Sequence, residues 1–295
     1  MLLTNSAIAT FEECQRKYYW RYVRELVQEE TAPALEVGRL FHRGLQHWYE
    51  HLRQGDNPEL AKKAGMLAAS DDGDNGIMAR WLTRLYIEHY GVDPWEIVEV
   101  EHKFSVKTEG VEVAGKIDLI VRDEKGLWFV EHKTASNPDA AYLKRLALDR
   151  QIILYLWAAR TVGCEVQGVI YNIIAKPTKY RRKGEGMAEY LGRCEMDYAA
   201  QPTTHFVRER CFRGRQDEEE IGKEIRRNVE QIRLCWTSGF FPKHRDRCFP
   251  FRYKHCPYAD LCIEGENVRT LSLYKHEKAH VELEDEADEV DATEY

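Results

Sequence analysis

Two acidic residues and one lysine are placed where they could form a hydrolytic metal centre. In the predicted strand 127–134, Glu131 and Lys133 share one face because side chains alternate along a strand. Asp118 lies near the end of the preceding predicted strand, and a hairpin that pairs residue 122 with 127 sets it opposite Glu131. Two carboxylates can hold Mg²⁺ or Mn²⁺, and the lysine can orient or deprotonate the water that hydrolyses a phosphodiester. On spacing alone, an exposed cross-strand charged pair is the commoner explanation.

Four of the eight cysteines form a second candidate site. Cys248, Cys256 and Cys262 are separated by seven and five residues, and Cys14 lies far upstream in a Cys-Gln-Arg-Lys-Tyr-Tyr context. Since the chain starts with no charged and then apolar leader, we expect a cytoplasmic protein whose thiols stay reduced. Metal or iron–sulfur ligation is therefore a better expectation than disulfides.

The charge of the chain is uneven. The formal net charge is -7, but Glu277–Tyr295 carries nine acidic residues and one basic residue, which leaves 42 basic and 41 acidic residues elsewhere. We expect residues 271–295 to form a disordered acidic tail that docks a protein partner. One cationic cluster with an aromatic ring is suited to contacts with single-stranded DNA, although a solvated basic loop has the same composition. It comprises Lys176, Lys179, Tyr180, Arg181, Arg182 and Lys183.

Helical periodicity covers much of residues 1–95. Apolar residues recur at intervals of three and four from residue 4 to 28, from residue 35 to 52, and around residues 78–86. Thr4, Asn5 or Ser6 is the expected cap of the first helix. This helix places Cys14 on its buried stripe.

From Ile97 the period changes to two and predicts a sheet. Residues 97–106, 111–121 and 127–134 form a meander of three antiparallel strands. A helix over 142–161 then leads to a buried strand at 166–175, which a right-handed crossover makes parallel to its neighbour. A basic loop at 177–186, an edge strand at 205–212 and a long helix through Ile221 and Ile232 follow.

These elements give an α/β fold class with a mixed central sheet flanked by helices. We expect four regions: a helical one at 1–95, a core at 96–240, a cysteine segment at 241–270 and the acidic tail at 271–295. No apolar run is long enough to span a bilayer, so no membrane association is expected.

The motifs around the acidic residues resemble those of the PD-(D/E)XK nuclease superfamily, and of its RecB-like branch in particular. The motif residues are Gly115-Lys116-Ile117-Asp118, Val130-Glu131-His132-Lys133-Thr134, Gly38-Arg39-Leu40-Phe41-His42, Gln151 with Tyr155, and Glu101. The resemblance implies a restriction-endonuclease-like core and a metal site at His42, Glu101, Asp118, Glu131 and His132. It also implies that Gln151 and Tyr155 contact DNA or the catalytic lysine.

The cysteines extend this resemblance. One early and three late cysteines resemble the iron–sulfur staple of RecB-like nucleases related to CRISPR adaptation exonucleases and to the nuclease domain of AddB. The resemblance implies that Cys14, Cys248, Cys256 and Cys262 hold a [4Fe–4S] cluster, and the same thiolates could hold Zn²⁺ instead. Such a site would tie the first helix to the C-terminal segment.

We therefore expect a metal-dependent DNA exonuclease that acts on single strands or DNA ends. Recombination, repair, phage DNA processing and CRISPR adaptation are the processes that such an enzyme serves. The alternative is a non-catalytic DNA-binding or scaffold subunit of a helicase or integrase complex. A third interpretation, a zinc-stapled protein unrelated to nucleic acid, requires the order of the motifs to be a coincidence.

Overall fold

The computed structural model of the chain describes residues 1–29, 33–108, 110–212, 214–249 and 255–283. These residues divide into two compact units. Unit 1 comprises described residues of Met1–Glu30, Lys103–Lys116 and Gln216–Tyr295, and unit 2 comprises those of Thr31–His102 and Ile117–Arg215.

The described residues contain eight strands and twelve α-helices. The strands are β1 (Leu2–Leu3), β2 (Leu26–Gln28), β3 (Glu96–Thr108), β4 (Val111–Asp123), β5 (Gly126–Ala135), β6 (Val166–Ala175), β7 (Phe206–Cys211) and β8 (Tyr274–His276). The α-helices are α1 (Asn5–Glu13), α2 (Gln15–Tyr18), α3 (Pro33–Arg53), α4 (Pro58–Ala68), α5 (Asp74–Tyr90), α6 (Ala140–Leu146), α7 (Arg150–Thr161), α8 (Met187–Ala200), α9 (Pro202–His205), α10 (Arg215–Ser238), α11 (Ala259–Glu264) and α12 (Val268–Leu271). A π-helical turn covers Tyr19–Val23.

The sheet of unit 2 is mixed, as the sequence predicts. β5 pairs antiparallel with β4 and parallel with β6, and β6 pairs antiparallel with the edge strand β7. β3 pairs with β4. The register pairs Arg122 with Leu127, which confirms the predicted hairpin. The fold class is therefore α/β with a mixed central sheet flanked by helices.

The core of unit 2 lies between the sheet and helices α3, α5 and α8. Trp48, Trp128, Tyr49 and Tyr86 are among its largest buried side chains, and each is at most 2% exposed. β6 is buried on both faces except at Gln167, which accounts for its nearly continuous apolar sequence. This packing fixes β5, the strand that carries Glu131 and Lys133.

The prediction of a helix over residues 4–28 is wrong for the N-terminal segment of unit 1. Residues 4–28 do not form a single helix: α1 ends at Glu13, Cys14 is extended with φ -164°, and the segment finishes in strand β2. The cause is tertiary, because the N–H of Arg16 donates to the carbonyl of Pro242 (2.9 Å) and β2 pairs antiparallel with β8. Thr4 caps α1 as expected, and Cys14 is buried.

The helix predicted over residues 142–161 is two helices, α6 and α7. The chain breaks at 147–149 because the side chain of Asp149 accepts the N–H of Gln151 and starts a new helix. The apolar residues recur at helical spacing through the whole range, so the periodicity alone could not show that Asp149 starts a second helix.

The C-terminal region also differs from its prediction. Residues 271–295 were expected to be a disordered tail, but Tyr274–His276 forms β8, and Tyr274 is buried in a stacked contact with Tyr258. Residues 284–295, which hold most of the acidic residues, lie outside the described residues. None of the described helices is long and apolar enough to cross a membrane.

Candidate active site

The hairpin of β4 and β5 brings the two predicted carboxylates together. Leu119 pairs with Val130, so Asp118 comes next in register to Glu131. Oδ2 of Asp118 accepts the backbone N–H of His132 (2.8 Å) and lies 3.4 Å from Nδ1 of His42 on α3. His42, from a distant part of the sequence, therefore lies next to the two strands that carry Asp118 and Glu131.

Glu131 is the centre of a hydrogen-bonded cluster. Its Oε1 accepts Nζ of Lys133 (2.7 Å) and Nε2 of Gln151 (2.9 Å), and Glu131 is only 4% exposed. Oε1 of Gln151 accepts Nζ of Lys133 (3.2 Å), and its Nε2 donates to the hydroxyl of Tyr155 (3.2 Å). Helix α7 thus orients both the acid and the amine of β5.

Asp149 joins this cluster, although it was not predicted. Its Oδ2 lies 3.7 Å from Nζ of Lys133 and accepts the hydroxyl of Tyr171 (3.2 Å). Its Oδ1 accepts the N–H of Gln151 (3.1 Å). An aspartate just before a helix is a recognisable cap signal, but the assumption of one continuous helix concealed it.

The charges in this site are strongly coupled. Burial and the charge of Asp118 raise the pKa of Glu131, and Lys133 opposes that rise. Burial would raise the pKa of Asp118, but His42 and the N–H of His132 hold it below its usual value. Burial would lower the pKa of His42, but the charges of Asp118, Glu131 and Glu101 raise it to about 9. In this arrangement, an imidazolium supplies the positive charge opposite Asp118.

Glu101 lies on β3 in an unusual backbone conformation. Its φ is +52°, in the left-handed region that a glutamate rarely adopts, and its charge acts on His42. Strained residues of this kind concentrate at functional sites. The structure therefore brings Glu101 into the electrostatic surroundings of Asp118 and Glu131.

The chemistry of these side chains fits a hard divalent cation. Among the described residues, Oδ1 of Asp118 and Oε2 of Glu131 have no hydrogen-bond partner, so each carboxylate keeps one oxygen for a further ligand. Two buried carboxylates repel each other, and a cation between them would remove that repulsion. Within the described parts of the chain, no three His, Cys, Asp or Glu side chains are already grouped at metal-binding geometry.

The ring of His132 lies among aromatic side chains and meets the ring of His42 edge-on at 6.2 Å. The imidazole is 3% exposed, stacks on Tyr49 at 5.6 Å and meets Tyr86 edge-on at 5.8 Å. Neither ring nitrogen has a hydrogen-bond partner among the described residues. Its backbone N–H contacts Asp118, whereas a ligand role for its ring stays a prediction.

We expect His132 to make the protein sensitive to acid. Burial lowers its pKa to about 3, so below the ordinary value of 6.5 the unfolded chain binds a proton that the folded chain excludes. Stability is therefore retained above pH 6.5 and is lost as the pH falls, by up to about 1.4 kcal/mol per pH unit. His132→Phe should flatten this loss in urea unfolding measured at several pH values.

His47→Phe on α3 is the matched control, because this half-buried histidine lies outside the aromatic cluster. An unchanged acid response in His132→Phe would contradict the burial argument. The same variant tests the predicted ligand role, since a ring that binds the catalytic metal cannot be replaced by phenylalanine without loss of cleavage.

The basic loop begins where β5 and β6 end. The N–H of Lys176 donates to the carbonyl of Ala135 (2.6 Å), and burial lowers the pKa of Lys176. Lys179 pairs with Asp197 and Arg181 pairs with Asp74, each at 2.5 Å. The ring of Tyr180 is 94% exposed, and the side chains of Arg182 and Lys183 are also exposed. The loop thus presents Arg182, Lys183 and the ring of Tyr180 to solvent. Lys179 and Arg181 are already paired with carboxylates.

The four predicted cysteine ligands all belong to unit 1, and the described residues do not group three of them at metal-binding geometry. Burial raises the pKa of the Cys248 thiol, and the thiols of Cys262 and Cys14 add to that rise. Burial also raises the pKa of Cys256, with contributions from Cys248 and Cys262. The N–H of His244 donates to Sγ of Cys14 (3.3 Å), and the N–H of Cys256 donates to the carbonyl of Cys248 (2.7 Å).

Comparison with known proteins places the chain in a family. The sequence model of the PD-(D/E)XK nuclease superfamily matches residues 3–263. A crystal structure of a provisionally named exonuclease from Eubacterium rectale is similar at 13% identity and a TM-score of 0.48, over 86% of this chain and 88% of that chain. No curated protein sequence matches the chain. The chain belongs to the PD-(D/E)XK nuclease superfamily.

Proposed function

We propose that this chain is a divalent-metal-dependent DNA exonuclease that acts on single strands or DNA ends. The observation that supports it best is the buried cluster in which Lys133 and Gln151 both contact Glu131, next to Asp118. Two carboxylates and an amine are the groups that metal-assisted hydrolysis of a phosphodiester requires. A scaffold subunit has no need to retain all of them in contact.

Each residue has a separable role in this proposal. Asp118 and Glu131 would hold Mg²⁺ or Mn²⁺, with His42 and Glu101 as further ligands, and the cation would neutralise charge that develops on the phosphate. In the structure, the imidazolium of His42 stands opposite Asp118, so His42 would have to lose a proton in order to serve as a ligand.

Lys133 would orient the attacking water. The ammonium is held at a fixed position by Glu131, Gln151 and Asp149. Burial would lower its pKa, but the charges of Glu131 and Asp149 outweigh that effect and raise it. It therefore stays protonated and acts by positioning and by stabilising negative charge. Tyr155 fixes the amide of Gln151 from the next turn of α7.

Substrate contacts are proposed for the basic loop. The exposed Tyr180, Arg182 and Lys183 follow directly from the end of β6, and β6 is paired with the strand that carries Glu131. Cations would contact phosphates and the ring would stack on an unpaired base. This arrangement favours a single strand over a duplex.

Digestion of labelled DNA tests the proposal. Single-stranded and double-stranded DNA, labelled at either the 5′ or the 3′ end, would be incubated with the protein and Mn²⁺, Mg²⁺ or EDTA. We expect metal-dependent release of short products from linear single strands and none from circular single-stranded DNA. A folded protein that cuts no DNA with either metal would contradict the proposal, and cutting of the circles would contradict the exonuclease assignment.

We further propose that Cys14, Cys248, Cys256 and Cys262 bind a [4Fe–4S] cluster, with Zn²⁺ as the alternative. The support is the hydrogen bond from the N–H of Cys256 to the carbonyl of Cys248 (2.7 Å), together with the contributions of Cys14 and Cys262 to the raised pKa of Cys248. Four neighbouring thiolates suit either a cubane cluster or tetrahedral zinc. Cys256 and Cys262 also pack against an apolar cluster that contains Tyr258 and would shield the group from solvent.

Cys256→Ser should remove the metal and its colour. The anaerobically purified protein is expected to be brown with a broad absorption band near 400 nm, and the variant is expected to be pale and to unfold at lower urea. Cys164→Ser, which changes a cysteine of unit 2, should keep both properties. A colourless protein with one zinc would decide for the alternative, and a protein with neither iron nor zinc would contradict the site.

A further inference from the structure

Unit 1 contains a cavity that the candidate active site does not use. Its volume is about 550 Å³, which lies within the 300–1,000 Å³ range of small-molecule sites. The lining residues include Tyr18, Tyr22, Arg233, Trp236 and His280. All of these belong to unit 1, whereas every predicted catalytic residue belongs to unit 2.

Aromatic rings dominate the wall of this cavity. Tyr18 and Tyr22 stack at 5.2 Å with an angle of 30° between their planes, and His280 continues the stack 5.1 Å from Tyr22. Trp236, on the last turns of α10, is 54% exposed and contacts Phe241 edge-on. A planar ligand can therefore stack here on a partly exposed indole.

His280 is held in an unfavourable backbone conformation at this wall. Its φ is +62°, in the left-handed region that residues with a side chain seldom adopt. The contacts of its ring with Tyr22 and with the hydroxyl of Thr4 (3.5 Å) fix its position. Strain that the surrounding structure maintains is a frequent feature of ligand sites.

The charge of the lining indicates the type of ligand. Arg233 contributes a guanidinium, Thr237 contributes a hydroxyl, and none of the described residues that line the cavity is acidic. Arg21, whose guanidinium lies 5.4 Å from the centre of the Tyr22 ring, is paired with Glu277 (3.1 Å), so Arg233 is the cation on which this inference depends. A guanidinium beside stacked rings matches a ligand with a planar ring and a phosphate.

We propose that this cavity binds an unpaired nucleotide, with its base against the rings and its phosphate at Arg233. The ligand is either a free nucleotide or a nucleotide of a single strand. The expectation that this nucleotide comes from DNA rests on the proposed function, whereas the binding itself does not. The site would hold substrate or product without taking part in the hydrolysis.

Fluorescence of 2-aminopurine tests this proposal, because its emission falls when the base stacks on an aromatic ring. The full chain carrying Lys133→Ala, kept in EDTA, would be titrated with 2-aminopurine deoxynucleoside monophosphate and with a short single strand ending in 2-aminopurine. Trp236→Ala and Arg233→Ala should each raise the Kd by about tenfold or more. Leu234→Ala, which changes a 68% exposed residue of the same helix outside the lining, should leave the Kd unchanged.

The two probes distinguish the sources of the nucleotide. If the monophosphate and the strand both bind, and both bind more weakly to the Trp236 and Arg233 variants, the site accepts a free nucleotide. If only the strand binds and is weakened by these substitutions, the site accepts a strand end. Equal binding by parent and variants, or no binding of either probe, would overturn the proposal. Arg233→Ala serves as the main variant if urea unfolding shows that Trp236→Ala is unfolded. Because no cleavage is measured, this result is independent of nuclease activity.

Discussion

Replacing Lys133 with alanine is expected to slow DNA cleavage by about 10²–10³-fold, the usual cost of removing one positioned group that stabilises charge in the transition state. The ammonium lies 2.7 Å from Oε1 of Glu131 and 3.2 Å from Oε1 of Gln151, so the substitution removes the cation that both of these side chains contact. The rate should be measured in single turnover at saturating Mn²⁺, which separates cleavage from product release.

The Lys133 variant should still fold. Burial and Asp118 already raise the pKa of Glu131, so its carboxyl can take up a proton when the lysine is lost. Lys125→Ala, in the exposed turn of the same hairpin, is the matched control and should cleave at the parent rate. A Lys133→Ala protein with parent activity would remove the lysine from the mechanism.

Replacing Arg208 with alanine is expected to lower the free energy of unfolding by about 3–5 kcal/mol, the usual cost of leaving a buried charge without its partner. The guanidinium donates to Oδ1 of Asp93 (2.6 Å), whose side chain is 7% exposed, and to Oδ1 of Asn172 (2.5 Å). It also lies 3.9 Å from the centre of the Tyr90 ring. Urea unfolding of the parent and the variant gives this difference directly.

Arg210→Ala provides the control for this prediction. Arg210 lies two residues along the same strand and pairs with Asp123 at 2.9 Å, but its side chain is 37% exposed. Solvent-exposed ion pairs contribute little, so this variant should lose less than about 1 kcal/mol. Equal losses in the two variants would show that the buried network is not what stabilises the sheet.

This network has a consequence for the active site. His132 on β5, Asn172 on β6 and Arg208 on β7 are neighbours across the sheet. The hydroxyls of Tyr86 and Tyr49 connect the row to helices α5 and α3. These contacts pack against the face of β5 that is opposite to Glu131 and Lys133. They fix the orientation of the strand, and the positions of Glu131 and Lys133 depend on that orientation.

Local sequence signals were sufficient for the hairpin and for the crossover. The Asp123–Gly126 turn fixes the register of β4 and β5, so Asp118 could be set opposite Glu131 from the sequence. The buried strand β6 has the predicted bounds 166–175, because a continuous apolar run after a helix has few alternatives. The family resemblance implies that Gln151 contacts either DNA or the catalytic lysine, and the structure shows a contact with Lys133.

Features that depend on distant partners could not be predicted. The break of the first helix depends on the carbonyl of Pro242, and β2 depends on β8, more than two hundred residues away. Periodicity records which positions are apolar and does not record which backbone groups find remote partners. For the same reason, His132 was grouped with the metal residues by its place in the motif, and its aromatic surroundings came only from the packing of α3 and α5.

The network around Arg208 was also missed. Its members come from α3, α5, β6, β7 and the segment that contains Asp93, and each is an ordinary polar residue in its local sequence. Asp149 is a related case, since its cap signal was present but was assigned to the interior of a longer helix. The cytoplasmic location and the partner of the acidic tail stay predictions.

Anomalous diffraction from crystals soaked in Mn²⁺ tests most directly whether Asp118 and Glu131 bind the catalytic metal together. We predict one anomalous peak within bonding distance of both carboxylates, and its loss in Glu131→Gln crystals soaked in the same way. Density for manganese elsewhere with none between these two side chains would contradict the account.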